Sequence, residues 1–112
     1  MTIEETEKVD IVALPEDRQE VILLVADHLP WPGDERGKLE HVWMLQEKLN
    51  TYIQYVESGD LFLEFPNARD RRVVIVVGHK YQIPQDMEQL IKKMGALLAD
   101  AGIDLRFEYE PG

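Results

Sequence analysis

Two short apolar runs set the pattern of this chain. Val73 to Val77 is unbroken, and four of its five residues are valines; Val21 to Val25 reads VILLV. β-Branched side chains lose rotamer freedom in a helix and pack well on a pleated surface. Runs this brief, with charges before them, read as strands buried on both faces. The spacing predicts strands over 9–14 and 20–28, joined through the turn signal Pro15-Glu16-Asp17-Arg18 as an antiparallel hairpin. Another strand is predicted within the stretch Arg72 to Tyr81, with Val73 to Val77 as its buried run and Gly78-His79 at its end. A last one is predicted over 104–110, where Leu105, Phe107 and Tyr109 alternate with Arg106, Glu108 and Glu110.

Between the runs the period changes. Val42, Leu45, Leu49, Tyr52, Ile53 and Val56 recur at three- and four-residue spacing, which predicts a helix over 38–58. Trp43 and Met44 lie beside this stripe and widen it; Glu40, Glu47, Lys48, Gln54 and Glu57 fall off it. The loop 29–37 holds two prolines and two glycines, and Asp34 is the candidate N-cap. Gly59 stands at the C′ position. A second helix opens at Ile83-Pro84-Gln85-Asp86 and carries Met87, Leu90, Ile91, Met94, Leu97, Leu98 and Ala101; Gly102-Ile103 reads as a Schellman ending. Asp60 to Pro66 reads either as a short edge strand or as an extended linker over the core.

The order β-β-α-β-α-β predicts an α+β fold, a two-layer α/β sandwich. Its four-stranded mixed sheet runs 1-2-3-4, strands 2, 3 and 4 are parallel, and right-handed crossovers put two helices on one face. Residues 1–8 are expected to be a flexible acidic tail, and 9–112 a single globular domain. The helix-free face would carry Ile22, Leu24, Val74 and Val76. Contiguous apolar surface of that kind is usually covered, either by the Leu61–Phe65 segment or by a second copy, and a homodimer through this face is expected.

Charge narrows the partners. The chain of 112 residues has a formal net charge of −10. The acidity lies in residues 1–60, with 14 acids against 5 bases; residues 61–112 carry 8 and 7. Nucleic acid and anionic membrane would be repelled, whereas a basic protein would be attracted. Arg69, Arg71 and Arg72 form the one basic cluster, read as a solvated loop. There is no cysteine, so disulfides and thiolate chemistry are excluded. The acidic N-terminus lacks the h-region of a signal peptide, and no apolar run approaches the length of a membrane span. A cytoplasmic location is expected.

Candidate chemistry gathers where strands 2 and 3 end, in Asp27-His28 and Gly78-His79. Parallel strands place ligands beyond their carboxyl ends. The rim would hold Asp27, His28, His79, Lys80, Trp31 and Tyr81, with Trp31 and Tyr81 as contact anchors. Asp27, His28 and His79 have donors for a metal, but neighbouring strand residues point to opposite faces, and no metal or other cofactor is expected. The histidines suit acid–base work, but no nucleophile is evident: the one serine, Ser58, sits at a helix end. Competing with these readings is a structural one, in which Trp31 packs on Pro30 or Pro32. His41 is read as a satisfied, half-buried histidine.

Several strings resemble a family of small bacterial proteins known only as a domain of unknown function: DHL-x-W at 27–31, EH-xxx-LQEK-x-N-x-Y from Glu40, ESG at 57–59 and KY-xx-P from Lys80. The resemblance spans about Val9 to Tyr109. It implies a soluble bacterial α+β domain and carries no activity, cofactor or partner. It also raises a geometric expectation: if the 29–37 loop folds back, His41 meets Asp27 and His28 at one rim.

The residues therefore favour a non-catalytic binding or interaction module, an acidic adaptor or neutralising partner of a basic protein. The alternative is a small metal-assisted or acid–base enzyme with its site at the ends of strands 2 and 3.

Overall fold

A computed structural model describes residues 3, 11–16 and 19–111. The sheet has the order β1-β2-β3-β4, formed by β1 (Ile11–Ala13), β2 (Glu20–Asp27), β3 (Arg72–His79) and β4 (Asp104–Tyr109). β1 pairs antiparallel with β2, while β2–β3 and β3–β4 are parallel. This is the expected α+β architecture. The expected tail lies outside the described residues except for Ile3, which is fully buried in the core.

The β2–β3 register runs unbroken from Glu20↔Arg72 to Asp27↔His79. Val21, Leu23, Val25, Val73, Ile75 and Val77 face the helices and form the core with Leu45, Leu49, Tyr52, Ile91, Met94 and Leu98. Helix α1 (Glu35–Glu57) makes the first crossover. It begins before the predicted 38 because Asp34 caps it, accepting from the Gly37 amide at 3.1 Å. Gly59, at φ +87°, turns the chain out of α1.

Asp60–Glu64 is neither strand nor linker but a short helix, α2. The carbonyl of Gly59 accepts from both Phe62 and Leu63 at 3.0 Å, and Leu61 is driven fully into the core. A 3-10 turn at Gln85–Met87 leads into α3 (Glu88–Asp100). Its end is the Schellman motif: Ile103 donates to Leu98 O at 2.9 Å and Gly102 to Ala99 O at 3.0 Å.

On the helix-free face the sequence expectation needs revision. Ile22, Leu24, Val74 and Val76 do lie there, but Val74 and Val76 are buried within this one chain. Arg106 of β4 reaches across β3 to Glu20 of β2 at 2.8 Å, and Asp104 holds the same guanidinium at 3.2 Å. By register this bridge straddles Val74. Of the four aliphatics on this face, Val74 and Val76 are buried and Ile22 and Leu24 half-buried, so less apolar surface is open to a second copy than the pattern predicts. Arg71 also departs from its reading as a solvated loop: it donates to Pro15 O at 2.7 Å and to Glu20 O at 3.1 Å, tying the hairpin turn to β3.

Candidate functional site

Because β2 and β3 are parallel neighbours, their carboxyl ends share one border. Asp27, His79 and Tyr109 form the last register row on the helix face. His28 comes one residue later. It lies in the exposed row and lines the opposite side of the sheet with Gly78 and Glu110. The alternation of strand side chains thus separates Asp27 from His28. Asp27, His28 and His79 do not converge, and among the described residues no group of three His, Asp or Glu is placed to hold a metal ion.

The partner of Asp27 is His41. The stripe His41, Leu45, Lys48, Tyr52 turns inward along α1. His41 Nε2 lies 2.6 Å from Asp27 Oδ2, and both residues are 2 % exposed. His41 is therefore buried, not half-buried. Burial of this kind is tolerated only when the charge-bearing groups are paired. The other oxygen, Oδ1, accepts from the Leu29 amide at 3.2 Å, and the Asp27 carbonyl accepts from Lys80 N at 3.0 Å. One residue therefore fixes the entry of two loops.

Trp31 closes the arrangement. Its ring stacks on His41 with centroids 3.7 Å apart and planes 7° from parallel. It packs on the imidazole rather than on a neighbouring proline alone. With a carboxylate oxygen 2.6 Å away, Nε2 is the donor of this hydrogen bond. Nδ1 of His41 and Nε1 of Trp31 are both buried without a hydrogen-bond partner among the described residues. The loop does fold back as the resemblance implied, but it brings His41 to Asp27 and not to His28.

The rest of the rim is divided. His79 points its Nδ1 at Tyr81 O, 2.9 Å away, and stacks on Tyr109 with centroids 5.6 Å apart. Tyr81 itself is 40 % exposed, with Lys80 Nζ 5.8 Å from its ring centre. On the helix-free side a depression of about 170 Å³ is lined by His28, Gly78, His79, Lys80 and Glu110. The Glu110 carboxylate lies over Gly78 so closely that a Cβ there would come within 3.2 Å of Oε2. The start of α1 and the turn before α3 meet at this border through Lys38 and Asp86, 3.0 Å apart.

Chemically, the Asp27–His41 pair is a carboxylate–imidazole dyad covered by the Trp31 ring. Ser58 caps the far end of α1 and bonds to Tyr55 O at 3.3 Å. Two features escaped the pattern of the sequence. Lys48, read as off the apolar stripe, is 0 % exposed, with its ammonium 5.7 Å from the Tyr52 ring centre. Trp43, read as widening that stripe, is 59 % exposed and forms a groove of about 430 Å³ with Glu35, Arg36, Leu39 and Glu40. The signal for both was angular: 41, 45, 48 and 52 make a better inward row than one containing 43.

Among the described residues no helix is long and apolar enough to cross a membrane. The sequence model of a family described as "Family of unknown function (DUF6572)" matches residues 1–111. No curated protein and no solved structure matches the chain.

Proposed function

This chain belongs to that family of unknown function, and we propose that it is a non-catalytic binding module for a basic protein, contacted through the outer face of α1. The observation that carries this reading is the exposure of Trp43 at 59 %, beside Leu39 at 45 %, in a groove edged by Glu35 and Glu40. Tryptophan is enriched among residues that dominate interface energy, and a large exposed ring needs a reason. Arg36 is the one basic residue of the groove, and it is paired with Glu40 at 3.6 Å. The net charge of −10 steers a basic partner toward this surface. Tyr81 and His28, exposed on the rim beyond β2 and β3, supply a smaller second contact. Asp27, Trp31 and His79 act from inside by fixing the loops.

The enzyme alternative has less to work with. Its acid–base pair is sealed under Trp31, and His28 lies across the sheet from it. The test is calorimetric titration against basic proteins encoded beside it, at low and high salt. Trp43→Ala is expected to weaken binding by about thirtyfold, the range of a ~2 kcal/mol hot spot. Added salt is expected to weaken it further. Binding that is unchanged in Trp43→Ala overturns the proposed contact face.

A further inference from the structure

We propose that the loop 29–33 is a gate over His41, opening as a unit while sheet and helices stay folded, with Gly37 as its latch. The inference is independent of the α1 contact face. Three observations carry it. First, the closed state leaves two buried polar atoms, His41 Nδ1 and Trp31 Nε1, without partners among the described residues. Opening restores both to water, which offsets the lost stacking. Second, the loop is anchored to the core by two side chains that are only half-buried, Leu29 and Trp31. Leu29 N bonds to the Asp27 carboxylate; Pro30 and Pro32 have no amide hydrogen to donate. The two prolines stiffen the segment around Trp31, and Gly33 beside them has open space where a side chain would stand.

Third, the seat of the loop depends on a missing side chain. A Cβ on Gly37 would lie 2.5 Å from Cβ and 2.8 Å from Cγ of Pro32. Pro32 therefore closes down on the first turn of α1 only because residue 37 is glycine. A glycine inside a helix is otherwise unfavourable relative to alanine, so its presence suits the closing of the loop. What the open gate presents is the Nδ1 edge of an imidazole whose other nitrogen is held by a carboxylate.

The experiment is carbethoxylation by diethylpyrocarbonate, with His28, His41 and His79 resolved by peptide mass mapping. In the unmodified chain His41 is expected to react at least tenfold more slowly than exposed His28, at a rate that low urea barely changes. A rate that follows global unfolding across the urea series overturns the gate. Gly37→Ala is expected to bring His41 within a few-fold of His28 while circular dichroism stays native. A folded Gly37→Ala whose His41 remains as slow as before also overturns it. Trp31→Phe keeps the stacked ring and removes the stranded donor, so His41 is expected to react several-fold more slowly than in the parent; an equal or faster rate counts against the proposal. The urea series on the unmodified chain decides the matter even if a variant fails to fold.

Discussion

The two faces of the sheet solve opposite problems. On the helix face a carboxylate and an imidazole are buried among aliphatics and bonded to one another. On the helix-free face Val74 and Val76 are buried, and by register a charged bridge, Arg106 to Glu20 and Asp104, straddles Val74. Residue type alone does not decide what is inside. A polar group can be interior when its partner comes with it, and an apolar group can be covered by the stem of a charged neighbour. The two covers differ in kind. Packed helices cannot settle into a void, whereas one surface side chain can.

Breaking the polar pair should do the most damage. Asp27→Ala leaves His41 buried without its partner, and His41→Ala does the same to Asp27. Each is expected to lower the stability of the fold by about 3 kcal/mol, the range for removing one member of a buried pair. Urea denaturation measures it. The double change should cost clearly less than the two single losses together, because the second removal relieves what the first leaves unpaired. Fully additive losses would mean that the pair is not a unit.

The valines sharpen the comparison. Val77 and Val74 are both 0 % exposed, one facing the helices and one on the face that the Arg106 bridge crosses. Losing two methyl groups costs about 1.5 kcal/mol in transfer alone, and an uncollapsed void adds to it. Val77→Ala is expected to cost about twice as much as Val74→Ala, because the helix layer leaves the void open. Equal losses would show that the side-chain bridge is as rigid as the helices.

Arg106 comes next. Arg106→Ala should shift the urea midpoint by less than either valine change, and added salt should shrink the difference further. Arg106→Met keeps an aliphatic stem and should recover most of the loss. If it recovers nothing, the bridge covers Val74 through its charge rather than its carbon chain.

Much of the fold was legible because its signals are local. Valine runs bounded by charge and glycine give β2 and β3, Asp34 gives the start of α1, and Gly59 and Gly102 give the ends of the helices. Asp60–Glu64 was not legible, since five residues with a central Leu-Phe-Leu fit either period and docking on α1 decides. The rim was legible as a place, because parallel strands must end together, and the opposed directions of Asp27 and His28 followed from the pleat. What sits at the rim depends on how a nine-residue loop closes. The burial of His41 under Trp31 is a tertiary event that no periodicity encodes. Lys48 misleads in the same way: its residue type says surface, and only the angular position of its row on α1 says otherwise.

The two tryptophans carry the contrast between inside and outside to its smallest expected effect on stability. Trp31 is stacked on a buried imidazole; Trp43 stands 59 % exposed on the outer face of α1. Trp43→Ala removes a side chain that closes no void, at a helix position where alanine is the better former. Its effect on stability is expected to lie within about 0.5 kcal/mol, as for ordinary surface sites. Trp31→Ala uncovers the Asp27–His41 pair and should cost several times more. Should Trp43→Ala instead destabilise the isolated chain as strongly as Trp31→Ala, the exposed ring belongs to the fold itself, and the outer face of α1 is no free surface for a partner.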